Sequence, residues 1–196
     1  PCNICLPPPG FAQVGRMNLD GSGGEVVAEG VRNTVGFDFD PKDGSLWFTD
    51  NGRDWMGDEL PNDELDHVTQ PGKQHFGYPY CHQGMLPDPE FGRGKNCADF
   101  AQPAWLLGPH AAALGMRFYG ATLFPPKYRG AIFIARHGPW NRSQKFAADV
   151  VAAFPDGKGG ISKMEPFLGG LVENNRFLGR PVDVLVRKDG SLLVSD

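Results

Sequence analysis

Three arginines and an asparagine recur at comparable points of the chain. Arg32-Asn33 stands just ahead of an alternating apolar segment, Arg136 ends a second, and Arg180 precedes a third. If equivalent strand ends converge on one face, these guanidiniums and the Asn33 amide would line a pocket for a small polyanion with planar carboxylates. The arginine fork matches a carboxylate bidentately and keeps its charge when partly desolvated. His137, in ARHGPWNRS, and His110, in LGPHAAALG, are the histidines nearest such a pocket. Either could polarise an oxygen of a bound molecule, or be a buried imidazole satisfied by backbone. His67, His75 and His82 lack metal-ligand spacing and read as structural. The acidic stretch DNGRDWMGDELPNDELD (50–66) offers hard oxygens of the kind Ca²⁺ takes, but not in the EF-hand order; its other reading is an unpaired acidic surface loop. No GxSxG, HExxH, P-loop or dinucleotide fingerprint is present.

The four cysteines fall as two close pairs, Cys2/Cys5 and Cys81/Cys97. One CxxC is half of a zinc site at best, and no βαβ pattern surrounds it to support a thioredoxin-like role. Cys81 and Cys97 bracket a Pro/Gly-rich loop with little core of its own. A disulfide closing it would contribute on the order of 3 kcal/mol, the alternative being two free thiols. The cysteines favour an exported protein. A net charge of −4 with no basic run argues against a nucleic-acid partner. No apolar stretch approaches the roughly 18 residues of a membrane-spanning helix.

The elements that would position these residues are short strands. Among 196 residues there are 27 glycines and 18 prolines, yet also 14 phenylalanines and four tryptophans, so the chain has material for a core between many turns. Strands are expected at Gln13–Asn18, Glu25–Glu29, Thr34–Asp40, Ser45–Thr49, Gly115–Leu123, Ala131–Arg136, Asp149–Phe154, Val182–Arg187 and Ser191–Asp196. DGSGG, PKDG, PPKYRG, PDGKGG and RKDG form turns between them. No long helix is expected. VGFDFDPKDGSLWFTD (35–50) and PVDVLVRKDGSLLVSD (181–196) repeat one design, an alternating strand, a KDGSL turn and a strand ending in Asp; ATLFPPKYRGAIFIARHG (121–138) repeats it with a YRG turn. In the first unit Val35, Phe37 and Phe39 should form a buried face. Such units without intervening helices predict an all-β fold, a β-propeller, with an open β-sandwich as the alternative. Propeller blades of about 40–45 residues would give roughly three blades plus long loop insertions, too few to close a ring. Residues 1–196 are therefore expected to be the C-terminal portion of a single propeller domain whose N-terminal blades lie in sequence not included here.

Arg32-Asn33, the loop opening at Asn51-Gly52-Arg53, DEL (63–65), HFGYP (75–79), LGPH, LGMRFY, FPPKYRGAIFIARHGPWNRS and GRPVDVLV together resemble the glucose/sorbosone dehydrogenase family. These are soluble quinoproteins that use pyrroloquinoline quinone (PQQ), and the resemblance is greatest to the sorbosone-dehydrogenase-like branch. It implies a six-bladed propeller in the full protein. It implies oxidation of a sugar or sugar-derived aldehyde or alcohol by hydride transfer to PQQ, assisted by Ca²⁺. It further implies cofactor contacts from Arg32, Asn33, Arg136 or His137, and Arg180, and Ca²⁺ ligation by the backbone carbonyls of Gly52 and Arg53. Arg53 stands where some members carry proline, and Arg180 follows Arg176 only after a gap. The family's catalytic histidine belongs to an earlier blade, so the base is expected upstream, with His137 and His110 as auxiliaries. The partners implied are a small sugar or aldehyde and an external electron acceptor (cytochrome, quinone or dye), in the periplasm or outside the cell. A Ca²⁺-dependent lactonase of six-bladed type and a non-catalytic binding propeller are the competing readings.

Overall fold

The computed structural model describes residues 5–196, and the Cys2/Cys5 pairing falls partly outside them. It is all-β apart from two single turns of 3₁₀ helix. β1 (Gln13–Arg16) and β2 (Glu25–Glu29) form an antiparallel pair. β3 (Thr34–Phe39), β4 (Leu46–Asp50) and β5 (Asn62–His67) follow as a meander. An insertion with the short hairpin β6 (Cys81–His82) and β7 (Leu86–Pro87) then leads to β8 (Trp105–Pro109), which completes this four-stranded sheet beside β5. β9 (Ala113–Phe118), β10 (Ile132–Arg136), β11 (Asp149–Pro155) and β12 (Ile161–Leu168) make a second four-stranded antiparallel sheet in simple order. Two hairpins end the chain, β13 (Val172–Glu173) with β14 (Arg176–Phe177), and β15 (Asp183–Val186) with β16 (Leu192–Ser195).

Each four-stranded sheet has the form of a propeller blade, and the blades pack face to face through alternate side chains. From the first sheet Trp47, Leu65 and Leu107 meet Met116, Phe118, Ile132, Ile134 and Val151 of the second. The opposite face of the second sheet sets Phe133, Ala135, Val150 and Ala152 with Tyr119 against Val184 of β15. β10, Ile-Phe-Ile-Ala-Arg, is thus buried on both faces, which suits its β-branched and aromatic composition. The other side of β4 packs Phe48 on Val27, Ala28 and Val31 of the β2 region and on Phe76 of the insertion.

The first strands of successive sheets, β3, β9 and β15, run against one another. Thr49 Oγ1 donates to Leu114 O at 2.9 Å, Phe118 N to Asp38 Oδ2 at 2.8 Å, and Gly115 N to Val182 O at 2.9 Å. A side chain at Gly36 would collide with the Leu114 carbonyl, and one at Gly115 with Asp183. Glycine at these two places is what allows backbone to meet backbone.

All nine expected strands are present to within a few residues. Seven more were not anticipated: β6, β7, β13 and β14 are only two residues long, β5 (NDELDH) is polar, β8 (WLLGP) carries Gly and Pro, and β12 (ISKMEPFL) is an outer strand with an internal Pro. Two corrections follow. The acidic stretch is not a surface loop throughout: its end forms β5, where Asp63, Glu64 and Asp66 are buried. And Val35, Phe37 and Phe39 are each half exposed, because Gly36 and Asp38 on the alternate face are the ones turned to the second sheet. The outward face borders a cleft of about 600 Å³ that Val14, Val27, Leu46 and Phe48 also line.

Replacing Gly36 by Ala should destabilise the protein by about 1–3 kcal/mol, since the neighbouring strand must shift to admit a methyl group. Denaturant titration of the full-length protein measures this, and Gly24→Ala is a suitable comparison because nothing lies within 4 Å of a methyl there and its φ is not in the left-handed region.

Candidate functional site

Antiparallel pairing brings the chain's sequence-singled residues to one end of the sheets. Arg32-Asn33 enters β3, the 51–61 connection leaves β4, 110–112 joins β8 to β9, 137–148 leaves β10, and Arg180 precedes β15. Asp50, the last residue of β4, clamps the first of these segments: its carboxylate accepts Arg32 N at 2.8 Å and Asn33 N at 2.6 Å. The Asn33 carbonyl accepts both the backbone and side-chain nitrogens of Asn51, at 3.2 and 3.1 Å, which leaves the Asn33 side chain exposed. The Arg32 guanidinium lies across the next loop. Its Nη1 donates to Asn51 O at 3.0 Å and Gly52 O at 2.7 Å, and its Nη2 is 3.7 Å from Asp54.

The Asn51-Gly52-Arg53 loop is anchored from two sides. Asp63 accepts Gly52 N at 2.9 Å with one oxygen and Ala113 N at 3.3 Å with the other, while Asn51 Nδ2 donates to Ala113 O at 2.9 Å. A side chain on Gly52 would press on Pro61. Arg53 turns into the insertion and is buried, with Nη1 on Asp88 at 2.7 Å and Nη2 on Glu90 at 3.2 Å. Asp88 also meets His82 Nε2 at 2.9 Å. Burial opposes the charge on Asp88, but the hydrogen bonds from His82 and Arg53 outweigh it and hold the carboxyl at about 2. The Cys81–Cys97 disulfide is formed, with Cα atoms 5.6 Å apart, and closes this insertion.

Arg136 forks Asp149 with Nε at 2.8 Å and Nη2 at 2.6 Å, and Nη1 reaches Leu107 O at 3.0 Å. Its charge is therefore already matched within the wall. Arg180 donates to the carbonyls of His137 at 3.2 Å and Gly138 at 2.8 Å, and stacks on Phe177. His137 Nδ1 faces two carbonyls, Arg180 O at 2.9 Å and Pro181 O at 3.3 Å, so Nδ1 must carry the proton and donate. The Nε2 lone pair of neutral His137 is thereby the one available to accept. His110 is occupied on both sides, Nε2 by Gly57 O at 2.8 Å and Nδ1 by Asn141 Nδ2 at 3.4 Å, which is the structural alternative. His67 stacks on Trp47 and bonds Gly159 O and Ser45 Oγ; His75 packs on Phe100.

Four carboxyl groups are buried in β4 and β5. Loss of hydration pushes Asp50 up to about 6 against the lowering effect of the Asn33 and Arg32 amides, Asp63 up to about 7, and Glu64 up to about 8, the last helped by the neighbouring Asp50 charge. Asp66, fully buried with neither oxygen hydrogen-bonded, is held well above the usual carboxylate range by the same desolvation, with Glu64 adding to it.

The family model of glucose/sorbosone dehydrogenases matches residues 12–137. The chain belongs to the glucose/sorbosone dehydrogenase family. An uncharacterized protein of Borreliella burgdorferi is 36% identical over 197 residues, a match that covers 99% of this chain and 52% of that protein. The chain thus spans about half the length of the curated relative it matches. Among solved structures, the holo form of the pyranose dehydrogenase PQQ domain from Coprinopsis cinerea superposes with a TM-score of 0.66 at 22% identity, covering 88% of this chain and 53% of that one. A calcium structure of a Trichoderma reesei carbohydrate-active enzyme of family AA12 gives 0.69 at 19%, covering 88% and 51%. The apo-form soluble aldose sugar dehydrogenase of Escherichia coli gives 0.60 at 25%, covering 87% and 41%. The first two likenesses are of fold, and they agree with the propeller-like architecture of this dehydrogenase-family chain.

Asn141 and Asp149 were not singled out by sequence, and Asp54 only as part of the acidic stretch, although they partner His110, Arg136 and Arg32. Their signal is partial: Asp149 opens an expected strand directly across from Arg136, and opposite charges in such a cross-strand position attract.

The raised carboxyls set a pH dependence. In the unfolded chain they ionise near pH 4, whereas in the folded family member Asp50, Asp63 and Glu64 ionise at about 6, 7 and 8. Between these limits the native state binds more protons, so the stability they confer is whole below about pH 4 and is lost as pH rises to 8. Melting temperature should accordingly fall from pH 5 to pH 8.5. Asp66→Asn should flatten that fall, gaining most at high pH; calorimetry across the range measures both.

Proposed function

We propose that this chain is the C-terminal portion of a six-bladed quinoprotein dehydrogenase of the sorbosone-like branch. In this reading the protein oxidises a sugar or sugar-derived aldehyde or alcohol with PQQ and Ca²⁺. The observation that carries the proposal is the placement of the Arg32 guanidinium over the carbonyls of Asn51 and Gly52, beside Asn33, at the strand ends. That donor set suits both cofactors: cationic forks for a tricarboxylate, and hard carbonyl oxygens for a divalent cation. In this chain Arg32 and Arg180 donate mainly to backbone carbonyls, with Asp54 3.7 Å from Arg32, and exchanging the carbonyls for carboxylates would strengthen those contacts.

In the proposed assignment Arg32, Asn33 and Arg180 grip the cofactor carboxylates, and His137 orients an oxygen through Nε2. Arg136 contributes from the wall, where Asp149 already balances it, so its part is positioning. The carbonyls of Gly52 and Arg53 would hold Ca²⁺, with Asp63 fixing the first through the Gly52 amide and Asp88 fixing the second through the Arg53 side chain. When bound, PQQ supplies an ortho-quinone that takes up hydride while Ca²⁺ acts on it as a Lewis acid. The general base belongs in this reading to the N-terminal blades, whose arrival would also cover Val35, Phe37 and Phe39 on β3. The remaining partners proposed are an external electron acceptor (cytochrome, quinone or dye) and a periplasmic or extracellular setting, which the Cys81–Cys97 disulfide favours.

In the full-length protein Arg32→Ala should weaken PQQ binding by roughly 10- to 150-fold, the equivalent of losing a charge-assisted contact of about 1.5–3 kcal/mol. Arg32→Lys should recover part of this, since an ammonium lacks the planar fork. Reconstitution titrations with PQQ in excess Ca²⁺ measure both; unchanged affinity in the two variants would reduce Arg32 to a brace for the 51–53 loop.

A further inference from the structure

The insertion between β5 and β8 contributes no strand to either four-stranded sheet, yet it reaches the candidate site through one side chain. Arg53 leaves the 51–53 loop, is 3% exposed, and uses each of its three guanidinium nitrogens. Nε donates to Asp54 O at 3.2 Å, within its own connection, while Nη1 and Nη2 hold Asp88 at 2.7 Å and Glu90 at 3.2 Å in the insertion. A guanidinium so engaged has little freedom, and the backbone that carries it shares the restraint.

Asp88 is itself positioned from behind. Its Oδ1 accepts Glu90 N at 2.8 Å and Phe91 N at 2.9 Å, and its Oδ2 meets His82 Nε2 at 2.9 Å. Its amide donates to Tyr80 O at 2.8 Å and its carbonyl accepts Gly92 N at 2.9 Å. A side chain at Gly92 would collide with the Asp88 backbone and the Tyr80 carbonyl, so glycine lets this turn close. Tyr80 and His82 flank Cys81, which is bonded to Cys97. Among the described residues between those cysteines only His82, Asp88 and Gly92 are buried, and none is a large apolar side chain. Hydrophobic burial therefore does little to keep the segment folded back. Its fixed points are the disulfide and the grip on Arg53.

We propose that Asp88 and the Cys81–Cys97 disulfide act together as a clamp on the 51–53 loop, so that the loop's affinity for a divalent cation depends on the oxidation state of the disulfide. The inference rests on the cation-binding reading of the Gly52 and Arg53 carbonyls above. Opening the bridge takes two electrons and two protons from a dithiol reductant, which leaves as its own cyclic disulfide, and yields the Cys81 and Cys97 thiols. The freed segment then samples arrangements in which Asp88 no longer meets Arg53. A site that is competent only part of the time binds with its affinity reduced by that fraction. The clamp is a positioning device and touches no reacting atom.

The test is calorimetric titration of the full-length apo-protein with CaCl₂, beside hydrogen exchange of the Gly52 amide in the metal-free protein. Cys81→Ala/Cys97→Ala should raise the Kd for Ca²⁺ by roughly 3- to 10-fold and lower the protection of Gly52. Asp88→Asn should raise the Kd by about 10-fold, as for groups that orient a metal ligand from behind. Dithiothreitol should reproduce the double-alanine shift in the parent and change nothing in the double-alanine variant, which assigns the response to this bridge; it also serves where that variant fails to fold. In Arg53→Met the Kd should be the same with the bridge intact or removed, because the clamp then has nothing to hold. A disulfide that merely stabilises the fold would lower the melting temperature in both backgrounds and leave the Kd alone. Equal Kd and equal Gly52 protection with the bridge intact and removed overturns the clamp, as does a shift that persists undiminished in Arg53→Met. Absence of Ca²⁺ binding in every form, alongside Gly52 protection that falls when the bridge is opened, would instead overturn the cation reading and leave the clamp on the loop standing.

Discussion

Asp63 accepts the Gly52 amide with one carboxylate oxygen and the Ala113 amide with the other, and this bridge joins the two four-stranded sheets where the candidate site is built. Gly52 belongs to the loop under Arg32, and Ala113 opens the first strand of the next sheet. Asn51 reinforces the same junction by donating to Ala113 O. The loop's carbonyls face Arg32 because their amides are held from behind. A hydrogen bond of this kind is worth about 1.5–3 kcal/mol when one partner is charged, and losing it in a buried place costs the desolvation of whatever remains. That is ample to fix a short loop.

The same junction explains why acidic residues are tolerated inside. Asp50 and Asp63 each receive two amides, and the energy of those bonds offsets much of the cost of burial. Glu64 receives one, from Gln83, and Asp66 none, so the penalty grows along β5 away from the site end. Charges of opposite sign are handled in parallel: Arg53 and Arg136 are neutralised in place by Asp88 and Asp149, whereas Arg32 and Arg180 rest mainly on carbonyls. Two classes of arginine thus share one end of the molecule, one paired closely with a carboxylate and one bonded mainly to backbone carbonyls.

Much of this was legible in the chain. The KDGSL repeat and its alternating flanks marked hairpins, and Arg32, Arg136 and Arg180 stood at the strand ends where the structure has them. The polar strand β5 was not legible, because NDELDH buries four consecutive residues, three of them acidic, and offers no apolar period to read. Nor was the direction of the β3 faces. Val35, Phe37 and Phe39 look like the core side of a hairpin, yet the tight junction required Gly36, and the apolar side turned outward toward the cleft. Which arginines would be claimed by carboxylates depended on contacts between residues far apart in sequence, such as Arg53 with Asp88, which no local pattern encodes.

The central claim is that one buried carboxylate holds the 51–53 loop to the neighbouring sheet. Amide hydrogen exchange of the full-length protein, compared with its Asp63→Ala variant, tests it most directly. The account predicts that protection of the Gly52 and Ala113 amides falls together in the variant while amides in the middle of β10 keep theirs. Unchanged protection at Gly52 and Ala113 would contradict it.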